Sequence, residues 1–107
     1  MRLWIVQRAT AAVLALCVVV HLATIIYAVR GGLSAAEILA RTRGSLAWGA
    51  FYCVFVIAAA AHGSIGLRVV ALEWLGLDKA WAGRLMLAVA IAFALLGLRA
   101  VFAVLAP

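Results

Sequence analysis

The chain has 107 residues, of which 71% are hydrophobic and only 11% charged. Soluble domains of this length carry about a quarter charged and about half apolar residues, and small chains bury the least of their surface, so a water-soluble fold is excluded. The net charge of +6 comes from basic residues scattered singly between apolar runs, which excludes the one-faced basic patch of a nucleic-acid binder and reads as charge flanking a lipid bilayer.

From the N-terminus, no charged residue falls between Arg8 and Arg30, and the first predicted span runs over about 9–29. It is too long for the apolar region of a signal peptide, and another span follows it, so it reads as a retained helix. The next connection carries Gly31-Gly32, then Ser34 and Glu37 three residues apart. That is capping-box spacing, and it predicts a short surface helix over 35–41. A second uncharged run predicts a span over 44–67. Glu73, Trp74, Asp78, Lys79 and Trp81 fall in the following connection, and a third span runs over 85–106, interrupted only by Arg99. At helical rise these runs cover about 32–36 Å, against a hydrocarbon core of about 30 Å. The expected fold is therefore all-α, with three transmembrane helices. Trp4, Trp48, Trp74 and Trp81 stand near the span ends, as an interfacial aromatic belt requires. Arg2, Arg8, Arg68, Lys79 and Arg84 on the N-terminal side outnumber Arg30, Arg41 and Arg43 on the other, which puts the N-terminus in the cytoplasm. Cys17 and Cys53 lie within apolar runs and read as packing residues rather than as a disulfide or metal pair.

Ionisable groups inside hydrocarbon are costly and point to function. The spans hold three: His21, His62 and Arg99. Both histidines of the chain lie in spans. An intramembrane imidazole suits axial ligation of haem, whose apolar face needs small neighbours. Around His62, positions three and four away are Ala58, Ala59, Ile65 and Gly66, with Gly63 alongside, which predicts a flat, open surface. Around His21 they are Cys17, Val18, Thr24 and Ile25, which is less open. A hydrogen bond across a helix interface and proton transfer are the alternative roles. Depth separates the pair: counted from Arg30 and Arg43, His21 is roughly 13 Å and His62 roughly 28 Å from one boundary, and a late start at Trp48 still leaves about 8 Å. The two histidines are thus expected to serve different haems, each completed by a ligand from another chain.

From His62 the sequence reads His-Gly-Ser-Ile-Gly-Leu-Arg-Val-Val-Ala-Leu-Glu-Trp. This resembles the membrane-anchor cytochrome b subunits of succinate dehydrogenase and fumarate reductase, the complex II family. Those anchors carry a haem histidine, then a glycine, often an arginine, and an acidic residue before an aromatic one. His62, Gly66, Arg68, Glu73 and Trp74 occupy these places, with Glu73 standing for the usual aspartate. Upstream, Gln7-Arg8-Ala9-Thr10 resembles the family's His-Arg-x-Ser/Thr-Gly stretch, with Gln7 for the histidine and Ala11 for the glycine.

The resemblance implies haem b, one or two groups shared with a partner subunit, and a quinone as substrate. It implies His62 as a ligand of haem iron, and it aligns His21 with the outer-haem ligand of two-haem anchors. Arg68, Arg30 and Arg43 become candidates for haem propionates, or else flanking charges that reach the headgroups. Gln7, Arg8, Trp4, Glu73 and Trp74 become candidates for the quinone site. The implied partners are a second membrane anchor, similar or identical, an iron–sulfur subunit and a flavoprotein subunit, in the bacterial inner (cytoplasmic) membrane. No flavin, nucleotide or iron–sulfur motif occurs in the chain itself, so no catalytic residue is assigned. The rival readings are a cytochrome b anchor of another dehydrogenase and a cofactor-free small transporter or membrane scaffold. Three helices offering unpaired ligands are expected to be part of a larger bundle.

Overall fold

A computed structural model describes residues 2–107. Among them the chain forms α1 (Arg2–Arg30), α2 (Ala35–Thr42), α3 (Leu46–Glu73) and α4 (Lys79–Leu105), and no strand. Helices α1, α3 and α4 are each long and apolar enough to cross a membrane. The molecule is 49 Å long and about half as wide, close to the roughly 40–45 Å of a bilayer with its headgroups.

Each long helix overruns its predicted span, α1 and α4 at their starts and α3 at its end. The physical reason is that charge marks the edge of hydrocarbon, whereas arginine, lysine and glutamate are themselves good helix formers. The helices stop where capping chemistry stops them. Asp78 begins α4 by accepting from the Trp81 N–H at 2.9 Å. Ser45 begins α3 by accepting from Trp48 N–H at 3.3 Å. The short surface helix forms as expected: the Ser34 hydroxyl accepts from Glu37 N–H at 3.3 Å, and the Glu37 carboxylate accepts from Ser34 N–H at 2.7 Å. Gly32 and Gly76, at φ +62° and +64°, supply the left-handed residues that follow α1 and α3.

Helix α3 is central. It packs on α1 along one side and on α4 along the other, and α2 lies against the end of α4. The α3–α4 contact is close because small residues let the backbones approach. A Cβ placed on Gly97 would stand 2.5 Å from Val56 Cγ1, and one on Gly63 would stand 2.9 Å from the Phe93 ring. Ala71 and Ala82 are fully buried. At the far end the Thr42 hydroxyl donates to the Val104 carbonyl at 2.7 Å, and Gly44 N–H donates to the Leu105 carbonyl at 2.9 Å. These bonds satisfy last-turn carbonyls of α4 that would otherwise lack partners.

The inward side of α1 is different. Gln7, Thr10, Leu14, Cys17, His21, Thr24 and Ala28 are its sheltered residues, and they alternate at spacings of three and four. That is a heptad seam. Apart from Tyr27, it collects every polar side chain between Arg8 and Arg30.

Candidate functional site

His62 projects from α3 toward the start of α1. Its Nδ1 is 3.3 Å from the Gln7 carbonyl oxygen and 3.4 Å from the Thr10 hydroxyl oxygen. The carbonyl can only accept. The Thr10 hydroxyl spends its own proton on the Val6 carbonyl at 2.7 Å, so its oxygen accepts as well. Both partners therefore call for the proton on Nδ1, and the ring lone pair falls on Nε2. Nε2 makes no hydrogen bond among the described residues. An imidazole held through the N–H of one nitrogen, with the lone pair of the other left free, is the usual posture of a metal-binding histidine.

Gln7 reaches the same place by its side chain. A Cβ on Gly66 would stand 3.4 Å from the Gln7 amide nitrogen, and Gln7 Oε1 is buried with no hydrogen-bond partner. The small surface predicted beside His62 is largely taken up by the chain's own packing. Ala58 and Ile65 are buried, Gly63 faces Phe93 and Gly66 faces Gln7. It differs from the open face expected because α1 and α4 use the same absence of side chains to approach α3.

His21 sits elsewhere on the seam. Its ring meets Tyr52 and Phe55 edge-on, with centroids 6.1 and 5.6 Å away, and its Nδ1 is buried without a partner. Cys17 is buried and Thr24 half-buried beside it, whereas Val18 and Ile25 are exposed. With Tyr52, Phe55 and Val56 of α3 and Gly97 of α4, His21 lines a cleft of about 310 Å3 between the outer helices. Trp48, near the start of α3, is half-buried and stacks on Tyr52 with ring centroids 5.7 Å apart. Trp4, Trp74 and Trp81 are exposed.

The histidines occupy two levels. His62 is opposite Thr10, and His21 is eleven residues further along α1, about 16 Å at helical rise. Measured on α3, Phe55 and Tyr52 precede His62 by about 10–15 Å. This chain does not bring the two rings to one metal.

The other candidates divide by face. Arg8 stands over the exposed Trp4, 5.0 Å from the ring centroid, on the outer side of α1. Glu73 and Trp74 are exposed at the end of α3, and Arg68 is half-buried on its last turns. They share the end of the bundle that holds His62 without touching it. Arg43 is exposed after α2. Arg30, nine residues from His21, lies about 180° round α1 from it. Arg99 is exposed on α4. Both cysteines are free thiols. Thr10 enters the site although its residue type carries no signal of its own; the seam spacing from Gln7 through His21 was the signal available.

Neither a comparison with curated proteins nor one with solved structures gives a significant match. A family comparison does, over residues 1–100, and its description is the succinate dehydrogenase/fumarate reductase transmembrane subunit. That match takes in both histidines, all of α1 and α3 and most of α4, and the chain belongs to this family.

Proposed function

We propose that the chain is the haem b-binding membrane anchor of a succinate dehydrogenase/fumarate reductase-like complex, joining an iron–sulfur subunit to membrane quinone. The observation that carries this reading is the His62 imidazole, pinned at Nδ1 by Gln7 and Thr10 with Nε2 free. No three metal-ligating side chains come together among the described residues, so a metal held here must bring most of its own ligands, as haem iron does. The His62 imidazole fits that group as a ligand, whereas its small neighbours are occupied by α1 and α4, so the porphyrin would rest mainly against the partner anchor. A bound haem supplies a one-electron carrier between the iron–sulfur subunit and the quinone.

The chain's own residues then have distinct tasks. His62 binds through Nε2 and keeps its proton on Nδ1. Thr10 and the Gln7 carbonyl hold the ring orientation. Arg68, toward the same end as His62, offers a cation to a propionate. Gln7 Oε1, an acceptor without a donor, is suited to a quinol hydroxyl, and Arg8, Trp4, Glu73 and Trp74 border the same end. His21 is the ligand of a second haem at its own level, with Arg43 as the cation at that end. The partner anchor, similar or identical, completes both ligand sets. The basic residues favour a cytoplasmic N-terminus in a bacterial inner membrane, which puts the His62 end beside the iron–sulfur and flavoprotein subunits.

The test is a reduced-minus-oxidised spectrum of the purified complex, with His62→Ala and His21→Ala made singly and haem counted per complex. The expected result is a haem b band in the parent and loss of a different haem in each variant. Loss of the same haem in both would refute the two-level assignment. A fully cofactor-loaded complex without a b-type band would sink the cytochrome reading and favour a cofactor-free scaffold.

A further inference from the structure

The face of α1 turned away from the histidines carries a feature of its own. Helical period sets Ala23, Ile26 and Arg30 about 140–180° round the helix from His21, with Tyr27 on the flank between them and Thr24. With Gly31 and Leu33 of the following turn, these four line a shallow groove of about 670 Å3. Arg41 of α2 folds back over its rim. Its Nη1 donates to Tyr27 Oη at 3.3 Å, and its guanidinium lies 5.4 Å from the Tyr27 ring centroid. Arg30 and Arg41 are both exposed.

Neither arginine is held in an ion pair among the described residues, and Glu37 acts on Arg41 only at longer range. Glu37 is the only carboxylate side chain among the described residues at this end of the molecule, and its oxygen accepts from the Ser34 N–H at 2.7 Å and from the Ser34 hydroxyl at 2.8 Å. Below the arginines the groove loses all charge. Ala23 lies seven residues before Arg30, about 10 Å deeper at helical rise, on a face of the span that no other helix covers. A ligand that fits both parts needs an anionic head and an apolar tail, and its tail must lie along the bilayer normal.

We propose that this groove is a binding site for an anionic phospholipid, with the phosphodiester between Arg30 and Arg41 and one acyl chain along Ile26 and Ala23. Tyr27 holds Arg41 in place for the headgroup and offers its ring to the glycerol region. The position of Arg30 opposite His21 assigns it to this lipid rather than to any group bound on the seam. The site is independent of haem and quinone.

The experiment is native mass spectrometry of the purified, delipidated complex titrated with phosphatidylglycerol or with phosphatidylcholine. Phosphatidylglycerol is expected to bind in preference, and Arg30→Gln and Arg41→Gln are each expected to weaken it about fivefold, the equivalent of about 1 kcal/mol per basic residue at a lipid surface. Arg30→Lys keeps the charge and is expected to keep most of the preference, and Arg84→Gln at the opposite end is expected to change nothing. Equal binding of the two lipids, an unchanged preference in the double glutamine variant, or an equal loss in Arg84→Gln would each overturn the proposal. So would full displacement by inorganic phosphate, since the acyl groove would then contribute nothing. Should Arg30→Gln fail to assemble, Arg41→Gln and Arg30→Lys carry the same comparison.

Discussion

The difference between the two histidines lies in what each ring nitrogen can reach. Nδ1 of His62 has two acceptors, and that of His21 has none. Partners behind a metal-binding imidazole are worth about 10–100-fold in metal affinity. Thr10→Val removes one of the two acceptors and leaves the Gln7 carbonyl, so haem is expected to remain but with affinity lowered toward tenfold. Haem titration of the complex measures this, and a shift of the haem reduction potential separates it from a general loss of folding. Both histidines were legible in the sequence because an ionisable group stands out in an apolar run. Thr10 was not, since a threonine hydroxyl satisfies itself on its own helix at any depth. Only its register with Gln7, Cys17 and His21 betrays it.

Among the helices, glycine marks where α3 and α4 touch. Gly97 faces Val56, a branched side chain with nowhere to turn, while a Cβ on Gly83 would meet nothing within 4 Å. Gly97→Leu is expected to cost about 1–3 kcal/mol or more, as overpacking does, and Gly83→Leu close to nothing; thermal unfolding of the complex in detergent compares them. The short helix α2 depends on its cap instead. Ser34→Ala is expected to cost about 1 kcal/mol, seen as faster hydrogen exchange over α2. Glu37 adds a pH dependence. Hydrogen bonds from the Ser34 backbone and side chain hold its carboxyl below the ordinary glutamate range, with Arg41 assisting. A lowered folded-state pKa means that this stabilisation is complete above the ordinary glutamate range and fades as pH falls through the folded value. Exchange over α2 is therefore expected to accelerate in acid, and Glu37→Gln to blunt that acceleration. The Ser34–Glu37 box was readable from spacing alone. The helix overruns at Arg2–Arg8 and Arg68–Glu73 were not, because charge density reports hydrocarbon and not backbone geometry.

For the molecule as a whole, three spans followed directly from the uncharged runs, but their arrangement did not. Helices α3 and α4 show no polar stripe and α1 shows a single polar seam, so nothing in the sequence says that α3 lies in the middle. Small residues decide it: Ala58, Ala60, Ser64, Ala71 and the glycines let α3 take a neighbour on each side. The result leaves most of α1 and α4 uncovered by other helices of the chain. Expressed without a second anchor, the chain is expected to insert but to hold haem well below one per copy, and co-expression is expected to restore it. Haem content per purified chain is the measurement.

The polar seam of α1 also sets an order of events. The ribosome delivers α1 first, and α3 is complete only after another 43 residues, from Arg30 to Glu73. At about 5–20 residues per second that interval is roughly 2–9 s. Throughout it Gln7, Thr10, Cys17, His21 and Thr24 have no helix of their own chain to lie against. A nascent α1 therefore faces the membrane with its polar side open, free to meet another subunit before its own sequence has been finished.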